Sequence, residues 1–166
     1  MIGRVFALAA AALAAAQAAS AQGLLATHRI PAALAAEAVE TAVATCAGQG
    51  FLVSAIVLDT DGVEQAFLRG DNAGIHTLQM AHNKAYTSVS FRTPTSALDK
   101  QAQEGRPPSP AIAKLPDLVL APGGVPIFGP DGKELLGAIG VSGVPNHSGD
   151  EVCAKAGLAK IADRLK

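Results

Sequence analysis

The chain has 166 residues, with 13 Lys and Arg against 14 Asp and Glu, so its formal net charge is −1. The charges are scattered and only 4% of residues are aromatic, which leaves neither a basic face to neutralise phosphates nor a platform to stack bases, and so excludes a typical nucleic-acid binder. Hydrophobic residues make up 49% of the chain, enough for one core, and Cys46 and Cys153 lie too far apart in sequence for a zinc-ribbon or thioredoxin motif.

Residues 1–21 carry Arg4, an Ala/Leu-rich run and Ala19-Ser20-Ala21, the charged start, short apolar core and A-x-A ending of a secretory signal peptide. The expectation is export to the periplasm or beyond, with residues 22–166 as the mature domain. The other reading, an uncleaved anchor, fits poorly with so short and alanine-rich a run. Pro31 then opens a helix of Ala, Val and Glu that runs to Ala47 and stops at Gly48 and Gly50. Residues 51–58 and 63–68 read as strands joined through Thr60-Asp61-Gly62, a strong hairpin signal. A second helix is expected over 75–91.

Thr93-Pro94 predicts a capped start to a short helix over 95–104, which the run Arg106-Pro107-Pro108-Ser109-Pro110 cannot continue. An irregular stretch follows to Gly124, and such loops inside a compact domain are more often functional than idle. Residues 125–128 and 135–141 then flank Pro130-Asp131-Gly132 as a second hairpin. Ser148-Gly149-Asp150-Glu151 has the S-x-x-E pattern of a capping box, so the last helix is expected from Ser148 to about Leu165. Two hairpins plus a strand from the Leu118 region give a mainly antiparallel sheet under helices, an α+β single domain.

Cys46 follows Ala35, Val39 and Ala42 at helical spacing, and Cys153 precedes Gly157 and Ile161 on the last helix, so both sulfurs face the core. If the fold brings the two helices together, an oxidising compartment closes a disulfide; otherwise both are free buried thiols, an equally common role.

Side-chain chemistry centres on the helix over 75–91. Leu78, Ala81, His82, Ala85 and Val89 form one stripe, while His76, Met80, Asn83, Lys84 and Thr87 lie towards the other side. His76 and Met80, one turn apart, can both approach an iron or a porphyrin edge; they also read as a solvated His and a gap-filling Met. His82 reads as a metal ligand or as a hydrogen-bonded edge residue. His76 and His82 point in different directions, about 240° apart around the helix, so one ion cannot take both. His28 and His147 are further axial candidates, or polar residues flanking helices. No C-x-x-C-H occurs, which rules out covalent c-type attachment, so any haem would have to be b-type.

Lys84 beside Pro122-Gly123-Gly124 can pair with a carboxylate ligand, the glycine N–H groups adding donors; its other reading is an ion pair with an acid such as Asp71. Arg69 serves the same anion or anchors the hairpin end, and Thr87 meets a ligand oxygen or bonds back to its helix. No G-K-[ST] follows the glycines, Ser142 lacks the G-x-S-x-G spacing, and Asp59, Asp61, Glu64 and Asp71 match no calcium loop. No acid, base and nucleophile set is recognisable, so nothing in the residues marks an enzyme.

Taken in order, strand-R-x-D at Arg69 and Asp71, A-x-x-K-A-x-T at residues 81–87, P-G-G-x-P-I at 122–127, D-G at 131–132 and G-A-I-G-V-S-G at 137–143 resemble the GlcG/HbpS family of small haem-binding proteins. The resemblance spans residues 29–165. It implies a profilin-like domain with a five-stranded antiparallel sheet, a haem or other tetrapyrrole ligand, and Lys84, Thr87 and the 122–124 loop at the site. It also implies homo-oligomers that help form the pocket and a sensor partner, with haem capture, buffering or sensing as the role. The alternative it carries is a small hydroxy-acid binder or metabolic accessory protein linked to glycolate-type metabolism.

Overall fold

The computed structural model describes Gly23, residues 26–108 and residues 111–166; the segment read as a signal peptide, residues 1–21, lies outside the described residues. Helix α1 (Ala32–Ala47) starts after Pro31, whose carbonyl accepts the Ala35 N–H at 3.0 Å. It buries Ala35, Ala38, Val39, Ala42 and Cys46, the three- and four-residue spacing of one helical face.

Strands β1 (Ser54–Asp59) and β2 (Glu64–Arg69) form the first hairpin, and β3 (Gly124–Phe128) and β4 (Leu135–Ser142) the second. β1 pairs with β4 as well as β2, so the described residues form one antiparallel sheet of order β2-β1-β4-β3. Every residue of β1 and β4 is buried, because both faces of the sheet are covered and alternation with polar residues disappears. Ala55 and Val57 of β1 pack with α1 and the last helix, α4 (Ser148–Ile161), while Ile56 and Leu58 pack with α2 (His76–Phe91). β2 and β3 are the two edge strands, and Phe67 of β2 lies opposite Ile56 on the α2 side.

The expected fifth strand does not form. Val119 donates its N–H to the Thr87 hydroxyl at 2.9 Å, so the Leu118 region is tied to α2 instead of extending the sheet beyond β3. Asp117 in the same stretch has a φ of 63°, which breaks the extended backbone that a ladder needs. The irregular stretch carries one 3₁₀ turn, Ile112–Lys114, after the short helix α3 (Thr95–Gln103).

Two expected caps also differ. α3 is preceded by Pro94 with no side-chain cap, and the Thr93 hydroxyl donates back to the Phe91 carbonyl at 2.9 Å. At α4, Ser148 is the first helical residue, not the cap, and Glu151 turns to Lys155 at 2.6 Å. The carboxylate that fixes this end is Asp150, which accepts the Val144 N–H at 2.9 Å. α4 ends at Ile161 and continues as a 3₁₀ turn, Ala162–Arg164.

The cysteines are bonded: Cys46 and Cys153 join α1 to α4, with their Cα atoms 5.7 Å apart. No helix among the described residues is long and apolar enough to cross a membrane.

Candidate functional site

Two different environments lie on α2. On its inner side Lys84 is fully buried, and its ammonium donates to the Asp150 carboxylate at 2.6 Å and to the Val141 carbonyl at 3.2 Å. Its partner is thus Asp150 of α4, not Asp71. Burial holds the Lys84 amine below its ordinary value, and the Asp150 charge pulls it partly back. Thr87, also buried, donates to the Asn83 carbonyl at 2.7 Å and accepts from Val119.

Gly123 and Gly124 press against this part of the helix. A methyl group on Gly124 would stand 2.1 Å from the Lys84 carbonyl oxygen, so only glycine lets β3 approach so closely. The Gly124 N–H is satisfied by the Thr95 hydroxyl at 2.9 Å. Lys84, Thr87, Gly123 and Gly124 therefore meet at a protein-filled junction of α2, β3 and α4, and Pro122 lines a small hollow of 190 Å³ beside Glu151. The second Glu151 carboxylate oxygen, buried, has no hydrogen-bond partner among the described residues.

The outer flank of α2 is open. Because α2 lies over β1, β3 and β4, the α2 side of edge strand β2 is left uncovered, and a hollow of 400 Å³ forms there. Ile56, Phe67 and Leu78 supply its apolar walls; Glu64, Gln79 and His82 supply polar groups. His82 is half-buried, its Nδ1 3.4 Å from the Asn83 amide oxygen, while Nε2 has no hydrogen bond among the described residues. One turn on, Tyr86 stacks on His82, with ring centroids 6.0 Å apart and an interplanar angle of 14°.

Beyond Tyr86 a larger hollow, 590 Å³, lies between the C-terminal half of α2 and the two Asp-Gly turns. Sequence reasoning reached His82 but not Phe67, whose place depends on hairpin register, nor Tyr86. An aromatic residue four positions after His82 was the available signal.

The other candidates lie elsewhere. His76 is exposed at the start of α2, its ring folded over Gly74, and Met80 is half-buried; neither lines the His82 hollow. Arg69 turns to the Ala73 carbonyl, with its Nε donating at 2.9 Å. The two remaining histidines have carboxylate neighbours: His28 Nδ1 lies 2.8 Å from Glu134, and His147 Nδ1 3.6 Å from Asp150. Hydrogen bonds from the His28 N–H and ring hold the Glu134 carboxyl below its ordinary value. No group of three or more His, Cys, Asp and Glu among the described residues is arranged to hold a metal ion. The disulfide removes both thiols as iron ligands or as attachment points for a porphyrin.

Comparisons place these features among known proteins. The profile of a family described as haem degrading protein HbpS-like matches residues 30–159. A double mutant of Streptomyces reticuli HbpS is 32% identical, over 84% of this chain and 93% of its own, with a TM-score of 0.75. The PduOC:heme complex is 26% identical, over 75% and 89%, with a TM-score of 0.67. Klebsiella pneumoniae protein ORFY, at 21% identity over 85% and 97%, shares the fold with a TM-score of 0.75. Comparison with curated protein sequences gives no match.

Proposed function

The chain belongs to the HbpS-like family, and from that premise we propose that it binds haem non-covalently in the hollow beside His82. The observation that carries this reading is His82 itself: a half-buried imidazole with a free Nε2, set against the apolar surfaces of Ile56, Phe67 and Leu78. One-sided imidazole ligation with an apolar slot is what a b-type haem requires of a protein. Solved relatives include a protein in complex with haem. Bound haem would supply a redox-active iron, and His82, Ile56, Phe67 and Leu78 are the residues that would hold it.

Tyr86 fixes the His82 ring plane by stacking, and the Asn83 amide oxygen favours the tautomer that carries its proton on Nδ1, which leaves Nε2 as the electron-pair donor. His76 points away from this hollow and serves as the internal control. The Cys46–Cys153 bond, of a kind that persists in oxidising compartments, supports an exported protein of the periplasm or beyond, in keeping with the signal-like residues 1–21. Haem capture or buffering outside the cytoplasm is the role that joins these features, with self-association and a sensing partner as extensions of it.

Hemin titration of residues 22–166, followed in the Soret region, tests the reading. Saturable binding that survives His76→Ala and is lost or spectrally altered in His82→Ala supports it. Spectra identical to free hemin refute haem binding, and a His82→Ala spectrum identical to wild type refutes the assigned ligand. Bleaching of the bound band under air and a reductant distinguishes turnover from storage.

A further inference from the structure

The larger hollow beyond Tyr86 carries a second chemistry. Its apolar floor is Val89 and Leu135, and the Tyr86 ring forms one wall. That ring has two close neighbours. His82 stacks on one face, and a methyl group on Gly62 of the first Asp-Gly turn would come within 3.2 Å of the ring carbons. The Tyr86 hydroxyl has no hydrogen bond among the described residues.

Charge in the hollow is unbalanced by pairing, not by number. The acids on its rim, Asp61 and Glu134, are engaged: Asp61 with the Arg29 guanidinium, and Glu134 with the His28 N–H at 3.1 Å and its ring. The cations Arg92 and Lys133 both line the hollow, and neither has a salt bridge or side-chain hydrogen bond among the described residues. Arg92 sits at the C-terminal end of α2, where exposed carbonyls favour a cation in any case. Both residues are exposed, and Lys133 stands on the second Asp-Gly turn.

We propose that this hollow is a binding site, separate from the His82 site, for a small organic carboxylate with an apolar body. Arg92 and Lys133 hold the carboxylate, the Tyr86 hydroxyl donates to it, and Val89 and Leu135 cover the apolar part. A volume of 590 Å³ lies within the range of small-molecule sites. Two charge-assisted contacts are what set a carboxylate apart from a neutral analogue of the same shape. The site does not depend on haem, and its failure leaves the His82 reading untouched.

The test uses phenylacetate as the probe and phenylacetamide as its neutral counterpart, by calorimetric titration of residues 22–166 with and without hemin. Expected is saturable phenylacetate binding that is weakened about tenfold or more by Arg92→Gln with Lys133→Gln, in line with the loss of charge-assisted bonds. Phenylacetamide is expected to bind at the weakened level to both proteins, and the variant is expected to bind hemin as wild type does. Three results overturn the proposal: no phenylacetate binding, binding indifferent to the two substitutions, or displacement of phenylacetate by one equivalent of hemin. The last would make the two hollows one site.

Discussion

Lys84→Met removes the ammonium from the interior and leaves the Asp150 carboxylate buried with only the Val144 N–H and a His147 ring atom 3.6 Å away. Both side chains of the pair are fully buried and their charged atoms are 2.6 Å apart. Breaking such a pair from one side costs about 3–5 kcal/mol, because the surviving charge keeps its desolvation penalty and loses its counter-charge. For a domain of this size that is a fall in Tm of roughly 6–20 °C, at about 2–4 °C per kcal/mol. Adding Asp150→Asn reverses most of the loss. The amide oxygen still accepts the Val144 N–H, and no ion remains in the interior, so the double variant should be more stable than either single one. Guanidinium unfolding of the four proteins measures the cycle directly. A Lys84→Met cost below about 1 kcal/mol, or a double variant as unstable as the sum of the singles, would show that the pair does not hold α2 to α4 as argued.

Because burial lowers the Lys84 pKa from 10.5, the unfolded chain binds more protons than the folded one between the folded value and 10.5. Wild-type stability relative to Lys84→Met should therefore rise with pH across that alkaline window, and a flat difference in unfolding free energy between the two proteins would refute it. Reduction of Cys46–Cys153, 107 residues apart in sequence, removes a constraint worth up to about 4.7 kcal/mol for a loop of that order, read as a lower guanidinium midpoint in dithiothreitol. Gly124→Ala places a methyl group 2.1 Å from the Lys84 carbonyl oxygen, so it should destabilise by roughly 1–3 kcal/mol or more, as overpacking does, with thermal unfolding as the check. Asp131 and Glu134 are both held below their ordinary values by hydrogen bonds to the charged form. Their contribution is complete above about pH 4.5 and is lost as pH falls through the depressed values, so Asp131→Asn with Glu134→Gln should flatten the acid limb of a stability–pH profile.

Local rules reach far into this chain. Hydrophobic periodicity and the two Asp-Gly turns set four helices and two hairpins in the right order, because a helix stripe and a strand run are written in adjacent residues. The ordered motifs from Arg69 to Gly143 were enough to point to the family. The helix pattern also put both cysteines on core-facing positions, but whether they bond is decided by the packing of α1 on α4, which no local pattern contains.

The same limit governs the site. Spacing left Lys84 two readings, a carboxylate ligand beside the glycine loop or an acid such as Asp71; its partner, Asp150, is 66 residues further on and meets it only after the sheet has formed. Ser148 is not the expected cap because the helix begins at Ser148 itself, after His147 in a left-handed conformation, and Asp150 takes the Val144 N–H. His82 was visible as a histidine on an apolar stripe. That it borders an open hollow follows from α2 lying over β1, β3 and β4 and leaving β2 bare on that side. Sequence determined which residues are apolar, where elements begin and which family the chain joins. The tertiary structure decided which charges neutralise each other and which surfaces stay open, because those outcomes depend on pairs of residues distant in the chain, and their energies arise only once water is excluded between them.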